Sequence, residues 1–133
     1  MRTEYKYTDT TVSFITYHFV FCPRYRRKIF NIHGVEDRFK QLTREICQQN
    51  DIEILAMECR QDHVHLFIGA YPQTSIPDIM NRIKGTTSRI LRNEFEEFKK
   101  MPGLWTRSYY VSTESHLSDE TIQWYVSTQK TKY

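Results

Sequence analysis

Two histidines one residue apart, His63 and His65, stand in the run Asp62-His63-Val64-His65-Leu66-Phe67-Ile68. On an extended strand alternate side chains leave the same face, so both rings can converge on one divalent cation. Two surface histidines on a half-solvated sheet would have the same spacing. The apolar neighbours weaken that plain alternative, because titrating groups are rarely paired in a central strand for packing alone.

A second group lies near the C-terminus. Ile122, Tyr125, Val126 and Gln129 recur at helical spacing and share one face, which should point inward. A tyrosine there is ordinary core with its hydroxyl tied to an acceptor. A buried glutamine needs partners for its amide. Its carbonyl oxygen could complete a metal site, and the tyrosine hydroxyl one turn away could attack a group held by that metal.

Two basic clusters follow. Arg24, Arg26, Arg27 and Lys28 surround Tyr25, and Arg82, Lys84, Arg89 and Arg92 decorate a later segment with Thr86, Thr87 and Ser88. Cations with interleaved hydroxyls and an aromatic suit a phosphate backbone and stacked bases; a solvated basic face is the plain alternative. Trp105 and Trp124 are expected to pack rather than to stack on bases.

These residues need a scaffold to hold them. Val12–Cys22 alternates as a strand, with His18 placed to approach the histidine pair if the first and third strands are neighbours. Val35, Phe39, Leu42 and Ile46 make the stripe of a helix over about 34–50. Strands are expected at 52–60 and 63–71 around a Gln61-Asp62 turn, with Val64, Leu66 and Ile68 on one face and His63, His65 and Phe67 on the other. Ser75-Ile76-Pro77-Asp78 starts a second helix that should run to Met101-Pro102-Gly103. A fourth strand is expected over 107–114 and a last helix from Ser118 to about Lys130. The order is β-α-β-β-α-β plus one helix. That is an α+β fold, a ferredoxin-like antiparallel sheet with an extra C-terminal helix carrying the tyrosine. The topology alone says little about function.

Composition agrees with one such unit over 1–133. The chain has 133 residues, 14% of them aromatic, and a net charge of +3, so any basic surface must come from placement rather than bulk charge. Cys22, Cys47 and Cys59 are odd in number with no C-x-x-C spacing, which excludes a zinc ribbon and a disulfide framework. Met1–Thr10 is polar, and no stretch nears the roughly 18 apolar residues of a membrane span. A cytoplasmic protein with no membrane partner is expected.

At this point the residues resemble a known family. His63-Val64-His65 resembles the HUH motif, in which U is a bulky apolar residue, and Trp124-Tyr125-Val126-Ser127-Thr128-Gln129 resembles the tyrosine helix that accompanies it. Tyr17-His18-Phe19-Val20-Phe21-Cys22-Pro23-Arg24-Tyr25-Arg26-Arg27 and Trp105-Thr106-Arg107-Ser108-Tyr109-Tyr110-Val111 are similar to the same family's other segments. The family is the TnpA-type HUH transposases with one catalytic tyrosine, encoded by the smallest prokaryotic insertion sequences.

The resemblance implies metal-dependent cleavage and rejoining of single-stranded DNA bearing subterminal hairpins, through a 5′-phosphotyrosine. It implies Tyr125 as the nucleophile and His63, His65 and Gln129 as ligands of a divalent metal, magnesium or manganese. It also implies a homodimer in which one subunit supplies the histidines and its partner can supply the tyrosine. From the two basic clusters, Arg24, Arg26, Arg27, Lys28, Arg82, Lys84 and Arg89 are expected to contact DNA. Two other readings compete: a non-catalytic binder of hairpin or single-stranded nucleic acid, and a metal-dependent hydrolase built on the histidine pair. Neither would depend on Tyr125.

Overall fold

The computed structural model describes residues 15–113 and 118–129. Seven principal elements follow in chain order: β1 Ile15–Phe21, α1 Val35–Gln49, β2 Glu53–Arg60, β3 His63–Ala70, α2 Ile76–Glu94, β4 Tyr110–Ser112 and α3 Asp119–Ser127. The sheet order is β2-β3-β1-β4, with every neighbouring pair antiparallel. This is the expected ferredoxin-like arrangement with its added helix.

The strand pattern explains the layers. β1 and β3 pair from Ile15↔Ala70 to Phe21↔Val64, so their alternations are locked together. Phe19, Phe21, Val64, Leu66 and Ile68 are fully buried on one face, beneath Val35 and Phe39 of α1 and Ile83 and Leu91 of α2. The other face buries Val20 and Cys22 against Ile122, Tyr125 and Val126 of α3. The Gln61-Asp62 turn closes the β2–β3 hairpin at Arg60↔His63, and a bulge between Ile54 and Ala56 shifts β2 against β3.

Some boundaries differ from expectation. α2 stops at Glu94 because Phe95 adopts an extended conformation (φ −112°, ψ 121°), and only a 3-10 turn, Glu96–Phe98, follows. Phe95 lies against Gly34 and Phe98, so packing at the α1 entrance overrides the helical pattern. β4 is three residues rather than eight, since Lys84 captures the carbonyls of Thr106, Arg107 and Ser108 that a longer ladder would use. Helix starts behave as their residues dictate: Ser75 Oγ accepts from Asp78 N–H (3.4 Å) and Ser118 Oγ from Thr121 N–H (3.1 Å). The expected ends at Val12, Glu114 and Lys130 fall outside the described residues, as does the connection 114–117.

Candidate active site

β3 projects His63 and His65 away from the two-helix core, because the residues between and beyond them fill it. β1 brings His18 alongside, as its place on the neighbouring strand suggested. The His18 ring lies 5.0 Å from that of His65 and 4.1 Å from that of Phe67.

The two histidines have different surroundings. His63 is buried, with Nδ1 3.1 Å from Asp62 Oδ1, and the other Asp62 oxygen accepts from Arg26 Nε at 3.2 Å. With Nδ1 engaged, Nε2 is the atom of His63 left for a ligand. Nε2 of His65 is buried and has no hydrogen-bond partner among the described residues. Buried nitrogens are normally partnered, so this is an atom a cation would satisfy. Burial holds His65 below the ordinary histidine value against the opposing pull of Glu58, which favours the neutral, metal-binding ring.

The histidines line a cleft of about 950 Å³ with Glu36, Glu58, Asp62 and Asp119, of which Glu36, Glu58 and Asp62 are paired with Lys40, Arg60 and Arg26. The imidazole donors fit a divalent cation. Imidazole nitrogens accept manganese readily. Among the described residues, no three His, Cys, Asp or Glu side chains converge on one point.

Tyr125 and Gln129 do share a face, and Tyr125 is buried as expected. They gather on the other side of β1 from the histidines. Tyr125 Oη shares a hydrogen bond with Ser108 Oγ (3.0 Å), and Ser108 Oγ donates to Gln129 Oε1 (3.4 Å). Gln129 Nε2 donates back to the Tyr125 carbonyl at 3.2 Å. The cleft instead takes Asp119, Ile122 and Gln123 from α3. Burial pushes the Tyr125 phenol up, while its hydrogen bonds with Ser108 and Thr106 pull it part of the way back.

The loop that carries Ser108 is itself fastened to α2. Lys84 Nζ donates to the carbonyls of Thr106 (2.6 Å), Ser108 (3.0 Å) and Arg107 (3.3 Å), and burial lowers it to about 8. Thr87 Oγ1 accepts from Trp105 Nε1 (2.9 Å), Ser88 Oγ accepts from Leu104 N–H (3.0 Å), and Arg92 reaches the Met101 carbonyl (3.1 Å). Two of the hydroxyls that read as phosphate contacts, Thr87 and Ser88, thus hold the protein's own chain at Trp105 and Leu104.

The basic residues divide in the same way. Arg27, Lys28, Arg82 and Arg89 are exposed. Arg24 lies across Gly103, Arg26 is on Asp62, and all three Nζ donors of Lys84 are engaged. Trp105 is core, but Trp124 is 62% exposed on the outer face of α3, against expectation, because the inward face of that helix is filled by Ile122, Tyr125 and Val126. Reading residue types along the chain missed Ser108, whose importance comes only from where the loop folds. It also gave Arg26 and Lys84 the wrong surroundings, since a basic run carries no signal of internal pairing.

The sheet thus carries a histidine pair on a central strand, with a tyrosine and a glutamine on the helix packed over the same face. Residues 11–129 match the family described as "Transposase IS200 like", and the chain belongs to that family. It is 36% identical over 121 residues to the ISDra2 transposase TnpA of Deinococcus radiodurans, covering 89% of this chain and 86% of that one. It is 35% identical over 101 residues to the transposase for insertion sequence element IS200 of Salmonella typhimurium, covering 73% of this chain and 65% of that one. A crystal structure described as that of a transposase from Deinococcus radiodurans R1 superposes with a TM-score of 0.87 at 33% identity, over 96% of this chain and 99% of that one. A tyrosine transposase bound to a REP hairpin shares the fold, with a TM-score of 0.60 at 11% identity, over 91% of this chain and 67% of that one. Among the described residues no helix is long and apolar enough to cross a membrane.

Proposed function

We propose that this transposase cuts and rejoins single-stranded DNA at the ends of its own element, with Tyr125 as nucleophile and His63, His65 and Gln129 holding a divalent metal, magnesium or manganese. It would act as one unit over the whole chain, as a homodimer, on strands that carry subterminal hairpins. The observation that carries the reading is the orphaned Nε2 of His65 beside His63 in the cleft.

Held by His63, His65 and Gln129, a divalent cation would supply positive charge against the charge developing on the leaving oxygen. His63 and His65 hold their neutral nitrogens toward that position. The Tyr125 oxygen forms a bond to phosphorus as the bond from phosphorus to the 3′-oxygen breaks. The phenol loses its proton and the 3′-oxygen gains one, leaving a 5′-phosphotyrosine and a free 3′-hydroxyl. Attack by a 3′-hydroxyl then reverses the step and frees the tyrosine. The ester keeps the bond energy, so rejoining requires no nucleotide hydrolysis.

Within one chain, Tyr125 and Gln129 sit at Ser108 and not in the cleft. This supports a site completed by the α3 of a second copy. It also explains why the phenol is held high where it rests: burial there keeps the proton on. The test is incubation of the chain with manganese and labelled single strands from its element's ends, followed by denaturing electrophoresis. A metal-dependent adduct that survives denaturation and is lost in Tyr125→Phe is expected. An adduct formed equally in excess chelator would remove the metal from the mechanism.

A further inference from the structure

We propose that Arg26 is a positioning residue for His63, acting through Asp62, and does not contact the DNA backbone. The inference rests on the metal-binding role assigned to His63 above. Three observations carry it.

The first is the chain of contacts. Arg26 Nε donates to Asp62 Oδ2 at 3.2 Å, and Asp62 Oδ1 lies 3.1 Å from His63 Nδ1. Both oxygens of the carboxylate are therefore committed, one to a guanidinium and one to the imidazole. A carboxylate held at two points has one rotamer, and it accepts the Nδ1 proton in one direction. That selects the tautomer whose Nε2 carries a lone pair and fixes where the lone pair points.

The second is shielding. Side-chain exposure falls along the series, from 28% at Arg26 to 19% at Asp62 and 10% at His63. Arg27 and Lys28, the next two cations, are exposed, and the Arg27 guanidinium lies 6.0 Å from the Tyr25 ring centroid. Adjacent residues of like charge thus have unlike surroundings. The exposed ones can reach a phosphate, whereas Arg26 faces the β2–β3 hairpin.

The third is the backbone. Tyr25 and Arg26 have φ of 59° and 51°, two consecutive non-glycine residues in the left-handed region. Such residues are uncommon, persist only where surrounding contacts impose them, and gather at functional sites. Here Arg26 N–H donates to the Pro23 carbonyl (3.0 Å), Arg24 N–H donates to the Leu104 carbonyl (2.8 Å), and Pro23 bridges Trp105. The turn leaves β1 and immediately doubles back, which carries the Arg26 side chain to the residue that precedes His63. A relaxed turn would send it into solvent with its neighbours.

The test is isothermal titration of manganese into the metal-free full chain near neutral pH, with wild type, His63→Ala, Arg26→Ala, Asp62→Ala and the Arg26→Ala/Asp62→Ala double variant. Arg26→Ala should weaken manganese binding by about 10–100-fold, as loss of a partner behind a metal-binding histidine usually does. The double variant should be no weaker than Asp62→Ala alone, because the two act in series. Arg26→Lys, which keeps a cation on Asp62, should recover part of the loss, and Arg26→Gln is measured the same way should Arg26→Ala fail to fold. Nitrogen-15 spectra of the metal-free rings should show His63 as the Nδ1–H tautomer in wild type and as a mixture in the variant. In chelator, the salt dependence of binding to a single-stranded oligonucleotide should be unchanged, whereas loss of a phosphate contact would lower its slope by about one. Manganese binding that depends on His63 but ignores Arg26, or losses that add in the double variant, would overturn the inference alone. Wild type that binds manganese no better than His63→Ala would remove the metal reading and this inference with it.

Discussion

The phenol oxygen of Tyr125 and the hydroxyl oxygen of Ser108 lie 3.0 Å apart, across β1 from the histidine pair. The nucleophile of the proposed reaction therefore rests in a polar niche of its own chain. Tyr125→Phe removes one oxygen and leaves the ring against Val20 and Cys22. Folding and binding of single strands should persist while the covalent adduct disappears on denaturing gels. Ser108→Ala should retain the adduct and lower stability by about 1 kcal/mol in urea titrations, the usual net worth of one hydrogen bond. Wild-type cleavage by the phenylalanine variant would sink the nucleophile assignment.

A site shared between copies has a distinct genetic signature. Neither His63→Ala nor Tyr125→Phe should cleave alone. Mixed dimers built in trans have one site with both lesions and one with neither, so mixing the two variants should restore activity to a fraction of wild type. If every site is built within one chain, each keeps a lesion and the mixture stays dead. Inactive mixtures whose mixed dimers are demonstrated by mass spectrometry would reject the trans arrangement.

The division of the basic residues predicts different salt responses. Arg82 and Arg89 are exposed on α2, and Arg27 on the turn after β1. Replacing any one of them by Ala should lower the slope of log affinity against log salt by about one if it meets a phosphate. Lys84→Met should leave that slope unchanged, since Lys84 is bound to three carbonyls, and should instead loosen the loop at Thr106–Ser108. Fluorescence anisotropy with a labelled hairpin strand over a salt series reads both outcomes.

Stability should depend on alkaline pH in two stages. Lys84 titrates at about 8 in the folded chain against 10.5 ordinarily, so between those values the unfolded chain binds more protons and stability rises with pH. Burial raises Cys22, Cys47 and Cys59 from 9.0 to about 12, so above 9 the folded chain binds more protons and stability falls. With three thiols opposing one ammonium, the two slopes cancel at about pH 8.5, so the urea midpoint should climb slightly from about pH 7 to that point and then decline. Lys84→Met should abolish the climb and keep the decline. A midpoint that falls steadily from about pH 7 in wild type would contradict the Lys84 assignment.

Much of this was legible in the residue order because period-2 and period-3.6 patterns survive folding intact. Val64, Leu66 and Ile68 had to face one way, so His63 and His65 had to face the other. The inward stripe of α3 was likewise readable from Ile122, Tyr125 and Val126. Contacts between distant segments were not. Nothing in Arg24-Tyr25-Arg26-Arg27-Lys28 marks the one arginine that a left-handed turn delivers to Asp62. Nothing in Thr87-Ser88 reveals that both hydroxyls hold the chain around Leu104 and Trp105. The early end of α2 has the same origin, since Phe95 obeys its packing at Gly34 rather than the helical period.

β1 divides its side chains between a large core and a small one. Phe19 and Phe21 enter the assembly of α1 and α2, while Val20 and Cys22 meet the inner face of α3. The first set packs the two-helix core; the second is what α3 would have to leave if it completes a partner's site as proposed. Because the two sets alternate along one strand, the lifetime of the helix on its sheet can change without loss of the fold. Trimming Val20 to Ala would hasten the departure of α3, and trimming Phe19 would threaten everything else. On the proposed trans arrangement, single substitutions at Val20 or Cys22 would change how often copies exchange α3 while leaving the architecture standing.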